Sequence, residues 1–456
     1  IAGFALLLLF VYGGALHRYH MFDGDHAIQI MMAKYFSGDS SDFYYWGQNR
    51  LGSFVPLLLI VPIKVLGLPA LAAAVVCSVA LYFTALGLLL WQVQSTPERL
   101  AALTAFFLVP IGCYKFLLYT GHPYGPTMAL TLLGFSLLFR ATPTRGTAFV
   151  AGCLLSLSCW VSEATIAALI AVAFVAFERR SKWDLPTVLV FLIGTSLWVP
   201  FSWYWRARIG FEGHDGEYVK LASADMLVNG LEKFIPQFSY MMNSELPTKS
   251  SLTTVAAVLL VLQNPLVILF RRRWVDEAPD SPRAPLLTFL AVHNCAYFLI
   301  IWVSRHSYFG EGRIQRYWVP VIIFSLFQLF VLSVRMVTRS RWQLPAVPLV
   351  MACALCASGS IISNVDKWPR RDNPLSNFAT VKEHRANLRL VREHGATHVT
   401  GDYWHSLPLT VLSNFEVLAV PRDFSRTERF RAEFSEEARR RNPSDYFELP
   451  EAGHSH

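Results

Sequence analysis

The chain has 456 residues, of which 54% are hydrophobic and only 16% are charged. Apolar runs recur along most of its length and the mean hydropathy is +0.37, which excludes an ordinary soluble protein and indicates an all-α protein that crosses the bilayer many times. The net charge of +8 does not indicate a nucleic-acid partner, because the basic residues fall in short loops between apolar runs.

The first apolar run, Ile1 to Leu16, is followed almost at once by HMFDGDHAIQIMMAKYF. No small-residue cleavage site precedes Asp23, so we interpret this run as a retained membrane helix. Asp23 and Asp25 flank Gly24, which permits a tight turn with both carboxylates near the helix end. Two acids close together at a low-dielectric boundary favour one as an ionised base. Asp23 has a second interpretation as the N-cap of the next helix.

The segment Ala27 to Phe36 is predicted to form an amphipathic helix that lies along the membrane interface. The aromatic stretch FYYWGQNRLG, Phe43 to Gly52, is typical of an interfacial belt and could also stack on a sugar. Two apolar runs between Ser53 and Val93 are broken at Gly67 and Pro69. Only one of them is expected to cross the membrane.

Basic loops define the predicted topology, because such loops face the cytoplasm. They are Arg140 to Arg145, Glu178 to Asp184, Arg271 to Arg283 and Arg335 to Arg341. Because successive loops alternate between the two sides of the membrane, four segments are predicted to lie outside: His17 to Leu51, Gly121 to Tyr124, Arg206 to Ser250 and Arg305 to Arg316. Ala148 to Phe177 is predicted to form two short helices that meet outside, with Glu163 between them. The total is about eleven crossings, estimated from loop parity.

After Ser363 the composition becomes polar and rich in Arg and Glu. The segments Asn377 to Glu393 and Arg426 to Arg441 are predicted helices, and ATHVTGDYW and FEVLAVP are predicted strands. We therefore predict a transmembrane domain over residues 1–363, with its first outer loop at 17–51, and a small α/β domain over residues 364–456 on the outer face. All seven cysteines lie in or beside apolar runs, so no disulfide framework is predicted.

Ionisable side chains from distant parts of the chain share the predicted outer face. They are Asp23, Asp25, Arg50, His122, Glu163, Arg305, His306, Glu311, Arg313 and Arg316. Outer loops are polar in any membrane protein, so a single charged residue there can be present without a functional role. Arg313 and Arg316 lie three residues apart before a predicted helix, where they can bind a lipid phosphate or snorkel. His122 can be structural, whereas Glu163 would be costly in the membrane unless used.

Three motifs occur in a telling order: DGDHAIQIMMAKYFSGDSSDFYYWGQNRLGSFVPLLLIVPIKVLG, then GRIQRYWVPVIIF, then GDYWHSLPLTVLSNFEVLAVP. Together they resemble GT-C glycosyltransferases of the protein mannosyltransferase and aminoarabinose transferase kind. In that family an Asp, usually followed by Glu, ends the first helix. Asp25 matches the Asp, His26 stands where Glu is usual, and Asp23 could replace the second acid. The third motif is similar to a small outer module of many bacterial members.

The resemblance implies a GT-C fold and transfer of a sugar from a polyprenyl-phosphate carrier to a glycan, glycolipid or protein acceptor. The reaction would occur on the periplasmic or exterior face of the bacterial inner membrane, among membrane lipids. Asp25 would be the general base, with inversion at the anomeric carbon, and Asp23 the second acid. The donor phosphate would contact Arg316, Arg313, Arg305 and His306. The substrate site would include Gln48, Arg50, His122, Glu163 and Tyr308.

Two other functions and one cofactor stay open at this stage. A transporter or lipid flippase would explain Glu163 but predicts internal repeats, which the sequence lacks. An O-antigen ligase or polymerase would share the donor but would not need an acid after the first helix. Asp23 and Asp25 could hold a divalent cation, Mg, Mn or Ca, although two carboxylates alone make a poor site.

Overall fold

Helices dominate the part of the chain that the computed structural model describes. The described residues are 22–46, 51–93, 95–109, 113, 117, 122–139, 143–178, 183–209, 221–230, 251–270, 286–304, 315–338, 381–421 and 446–449. The first seven helices in these ranges are α1 Gly24–Lys34, α2 Phe54–Leu59, α3 Ala70–Gln92, α4 Thr96–Phe107, α5 Tyr124–Phe139, α6 Arg145–Val161 and α7 Ile166–Glu178. They are followed by α8 Leu185–Ser196, α9 Trp198–Ile209, α10 Ser251–Leu269, α11 Leu286–Val303, α12 Val319–Thr338, α13 Val381–Glu393 and α14 Tyr403–Leu412. The strands are β1 His398–Gly401, β2 Leu418–Pro421 and β3 Tyr446–Glu448.

Four helical segments among the described residues are long and apolar enough to cross a membrane. They are Ala70–Gln92, Leu185–Trp205, Leu286–Val303 and Val319–Thr338. The π-helical turn Ile60–Val65 continues α2, and Gly67, with φ +64°, separates it from α3. One short helix and one long apolar helix therefore lie between Ser53 and Val93, and a single crossing in this stretch stays a prediction. The count of eleven crossings stays a prediction, since Leu344 to Ser363 and other apolar segments lie outside the described residues.

The chain forms two compact units. One combines Ile1–Phe83, Leu118–Pro123 and Arg371–His456, and the other combines Thr84–Leu117 and Tyr124–Arg370. The predicted boundary at Ser363 lies outside the described residues and stays a prediction.

Helix α1 in the first unit is buried along most of its length, with Asp25 partly exposed and Lys34 exposed. Ile28, Ile30 and Met31 are at most 1% exposed, and the helix packs against α2 with its π-helical extension and against α14. A helix is present here as predicted, but α14 covers a face that an amphipathic helix would expose. Its position along the membrane interface stays a prediction.

The C-terminal residues of the first unit form a three-stranded parallel sheet in the order β2-β1-β3. His398 is in register with Leu418 on one side and with Tyr446 on the other. Parallel strands need a crossover, and α14 provides the one between β1 and β2. Both strands lie within the stretches predicted from the sequence. The predicted helix Arg426 to Arg441 lies outside the described residues, and the extent and membrane side of a C-terminal domain stay predictions.

Small residues allow close helix packing in the second unit. A Cβ at Gly152 of α6 would lie 2.5 Å from the Phe191 carbonyl oxygen, and one at Gly194 of α8 would lie 2.6 Å from that of Phe149. Such contacts are usual between membrane helices. Helices α6 and α7 are separated by a 3-10 turn at Glu163–Thr165, so the predicted pair of short helices is confirmed.

Polar side chains join α10, α11 and α12 inside the second unit. The Asn264 and Asn294 amides each donate to Ser325 Oγ at 3.0 Å, and Asn294 also donates to Asn264 Oδ1 at 3.1 Å. Interhelical hydrogen bonds of this kind stabilise packing in membranes. These amides therefore hold α10, α11 and α12 together, a role that does not require a transport path.

Arg335 is part of α12 and does not begin a loop, which corrects the predicted basic loop at Arg335 to Arg341. Its Nε donates to Glu98 Oε1 at 2.9 Å and its Nη2 to Oε2 at 3.3 Å. The two side chains are 8% and 10% exposed. The end of α12 and the start of α4 therefore meet through a bidentate ion pair.

Candidate active site

Asp25 lies in the first turn of α1. It is partly exposed, whereas its neighbours Gly24 and His26 are buried. Its Oδ1 accepts a hydrogen bond from the Tyr403 hydroxyl at 2.8 Å and lies 3.1 Å from the Tyr45 hydroxyl. The N-terminus of a helix also favours a negative charge. Asp25 is thus a carboxylate that hydrogen bonds hold in place and that stays partly exposed.

Asp23 is the N-cap of α1 and pairs with His26. The Asp23 Oδ1 accepts from the His26 backbone N–H at 3.2 Å, and the His26 ring Nδ1 lies 2.6 Å from the same oxygen. Burial alone would raise the pKa of Asp23, but the adjacent His26, helped by His122, outweighs it and lowers that pKa to about 2. A carboxylate with so low a pKa is a weak base. The geometry supports the capping interpretation of Asp23.

His122 contributes to the surroundings of this cap. The His122 ring meets the His26 ring edge-on, with centroids 5.8 Å apart. Phe22 stacks on the His26 ring with a centroid distance of 6.1 Å. The predicted proximity of His122 to the acidic turn is therefore seen. A contact with substrate stays a proposal.

The N-cap of α14 fixes the position of Tyr403. Asp402 Oδ1 accepts from the backbone N–H groups of Trp404 and His405 at 2.9 and 3.1 Å. The His405 ring Nδ1 lies 2.8 Å from both Asp402 oxygens. Burial would raise the pKa of Asp402, but hydrogen bonds and charge from His405 lower it. An N-cap of this kind anchors the first turn of a helix.

His384 of α13 binds the backbone just before the acidic turn. Its Nε2 lies 2.7 Å from the Phe22 carbonyl oxygen, and because a carbonyl only accepts, this nitrogen carries the proton. The residue is 0% exposed. Burial lowers the pKa of His384 from 6.5 to about 4, with His405 acting in the same direction and with the Phe22 hydrogen bond, Glu383 and Asp23 opposing it.

We expect the first unit to lose stability in mild acid because of His384. Between pH 6.5 and about 4 the His384 ring binds a proton in the unfolded chain but not in the folded one. The free energy of unfolding therefore has its highest value above pH 6.5 and decreases as the pH falls through this range. The shift corresponds to about 3 kcal/mol. Thermal unfolding of His384→Gln, which keeps a donor for Phe22, should depend less on pH than the wild type. His394→Gln is the control, since His394 is exposed; equal pH slopes in all three proteins would refute the assignment.

The remaining predicted site residues are in the second unit or outside the described part of the chain. Glu163 is in the second unit, partly exposed at the start of its 3-10 turn. The backbone of Arg316 lies in the 3-10 turn Gln315–Trp318, and its side chain is outside the described part. The residues outside the described ranges are Arg313, Arg305, His306, Gln48, Arg50 and Tyr308.

Sequence reasoning missed the two tyrosines whose hydroxyls contact Asp25, namely Tyr45 and Tyr403. Tyr44 and Tyr45 were expected in an interfacial belt, but they are 1% and 2% exposed, so that interpretation is wrong for them. The Tyr45 hydroxyl also lies 3.0 Å from the Asp25 carbonyl oxygen. Tyr403 is 378 residues from Asp25, and only the quoted GDYWH motif pointed to its segment.

The described donors near α1 do not fit a divalent cation. The Asp23 carboxylate pairs with His26, and Asp25 Oδ1 accepts from a phenol. No group of three or more His, Cys, Asp or Glu side chains suited to a metal occurs within the described ranges. Divalent cations prefer six or more oxygen ligands, so we derive no step through a metal.

Comparison with known proteins shows the fold. The chain is similar to the crystal structure of ArnT, an aminoarabinose transferase of GT-C type, from Cupriavidus metallidurans bound to undecaprenyl phosphate, with a TM-score of 0.52, 12% identity and coverage of 96% of this chain and 87% of that one. The apo state of the same ArnT aligns at a TM-score of 0.47, 12% identity, and 96% and 89% coverage. No protein-family model and no curated protein matches the chain. The similarity to the ArnT structure with undecaprenyl phosphate confirms the predicted GT-C fold.

Proposed function

We propose that this integral membrane protein is a glycosyltransferase that uses a polyprenyl-phosphate-linked sugar. The proposal rests mainly on the environment of Asp25. This partly exposed carboxylate lies at a helix N-terminus, and two tyrosine hydroxyls approach it. The position corresponds to the acidic residue of the resembling family. The ArnT structure with undecaprenyl phosphate supports a lipid carrier of the same class.

In the proposed reaction, Asp25 is the general base. The acceptor hydroxyl or amine loses its proton to this carboxylate while its oxygen or nitrogen forms a bond to the anomeric carbon. The bond from that carbon to the phosphate oxygen breaks on the opposite face, and the polyprenyl phosphate leaves with the electron pair. Such in-line displacement inverts the anomeric configuration. We assign the proton transfer to the Asp25 carboxylate, whose Oδ1 faces the two phenols.

The donor phosphate needs cations at the membrane surface, and Arg316 is our first choice. Arg313, Arg305 and His306 come from the same outer segment and are proposed as further phosphate contacts. Guanidinium groups bind phosphate oxygens in a bidentate manner. Gln48, Arg50, His122, Glu163 and Tyr308 stay proposed substrate contacts, and Asp23 is proposed to hold the α1 turn through its cap.

The chemistry is tested with the full chain in nanodiscs and synthetic polyprenyl-phosphate sugars. We expect release of polyprenyl phosphate, accelerated by amine or hydroxyl acceptors, and a product of inverted anomeric configuration by NMR. Proteoliposomes provide the comparison with a transporter or flippase. Movement of the intact sugar-lipid between leaflets without cleavage of the sugar–phosphate bond would contradict the proposal.

A further inference from the structure

The C-terminal helices α13 and α14 hold the turn of residues 22–25, and we propose that Tyr403 is a positioning residue for the Asp25 carboxylate. The catalytic part of this inference rests on the proposed function. The contacts lie within the first compact unit. They give the C-terminal segment a direct part in the site, beyond that of an outer appendage.

Three adjacent contacts carry the inference. His384 Nε2 donates to the Phe22 carbonyl at 2.7 Å. Tyr403 then packs so closely on Gly24 that a Cβ there would lie 2.5 Å from its Cε1 and 2.6 Å from its carbonyl oxygen. Its hydroxyl finally reaches Asp25 Oδ1 at 2.8 Å. The glycine of the DGD motif is thus required by the approach of α14.

The hydroxyl of Tyr403 has a use that packing alone does not explain. An aromatic ring without a polar group would fill the space beside Gly24 equally well, since Tyr403 is only 1% exposed. The hydroxyl instead donates to a carboxylate, and hydrogen bonds to charged groups are stronger than neutral ones. Together with Tyr45 it limits rotation of the carboxylate and so fixes its orientation. Orientation of this kind contributes to rate without changing donor affinity.

Tyr403→Phe tests the inference because it keeps the ring and removes the hydrogen bond. We expect kcat for sugar transfer to fall about ten-fold, with the donor KM and the thermal midpoint nearly unchanged. Tyr82→Phe is the matched control, since Tyr82 is also buried at 4% exposure but lies in α3. A purely structural Tyr403 would lower the midpoint and leave kcat of the folded fraction intact.

Gly24→Ala provides a second readout that does not depend on activity. The added methyl group must displace Tyr403, so we expect faster hydrogen–deuterium exchange in the peptide of residues 22–34, measured by mass spectrometry on the full chain in detergent. Gly87→Ala is the control, because a Cβ at Gly87 meets nothing within 4 Å. Unchanged exchange in Gly24→Ala would overturn the contact itself.

The outcomes separate this inference from the proposed function. An inactive Asp25→Asn together with a Tyr403→Phe of wild-type kcat would overturn the positioning role and leave the proposed function standing. A fully active Asp25→Asn would instead remove the proposed base. If the wild type cleaves no polyprenyl-phosphate sugar, the proposed function and the catalytic role of Tyr403 fail together, and deuterium exchange still decides whether α14 holds the turn.

Discussion

Replacing Asp25 with asparagine is expected to lower kcat for sugar transfer about 1,000-fold, the size typical of losing a general base. Asparagine has nearly the same volume, and its side-chain oxygen can still accept from Tyr45 and Tyr403, so the turn should keep its shape. It cannot take the proton of the acceptor. The measurement is steady-state transfer by the purified variant, with its thermal midpoint as the check on folding.

Asp39→Asn is the matched control for this change. Asp39 lies in the segment between α1 and α2, is exposed, and accepts a hydrogen bond from Ser37 Oγ at 2.8 Å. We expect this variant to transfer sugar at the wild-type rate. Equal activity of the Asp25 and Asp39 variants would show that Asp25 is no base.

Replacing Arg335 with methionine is expected to destabilise the second unit by about 3–5 kcal/mol, because the buried Glu98 carboxylate would lose its partner. The pair Glu98→Leu with Arg335→Met should recover most of this loss, since two apolar side chains carry no desolvation cost. The measurement is unfolding in detergent micelles for the wild type, both single variants and the double variant.

An exposed ion pair provides the control for this experiment. Arg145 Nη2 lies 3.9 Å from Asp184 Oδ2, and the side chains are 67% and 57% exposed. Exposed pairs contribute little, so Arg145→Gln should unfold at the wild-type midpoint. A double variant of Glu98 and Arg335 no more stable than the single variants would contradict the account of a buried, mutually compensating pair.

The apolar pattern was enough to predict the long apolar helices among the described residues. The runs that became α3, α11 and α12 are long and apolar, and the break at Glu163 was visible because an acid interrupts an otherwise apolar stretch. Strands β1 and β2 were visible in short β-rich stretches. Periodicity and composition report local structure, and these elements are local.

Contacts between distant segments could not be predicted in this way. The burial of α1 depends on α14, and the hydroxyl of Tyr403 reaches Asp25 across 378 residues. Arg335 was placed in a loop because basic residues cluster in cytoplasmic loops between apolar runs, whereas its partner Glu98 is 237 residues away. Asp25 could be proposed from the sequence because its motif is short and local.

The most direct test of the role of Asp25 is electron cryo-microscopy of the full chain with a non-hydrolysable polyprenyl-phosphate-sugar analogue. If Asp25 is the base, the sugar density will lie beside its carboxylate and leave space for an acceptor hydroxyl or amine within about 3 Å of that carboxylate. A well-defined analogue whose sugar lies out of reach of Asp25 would contradict this role.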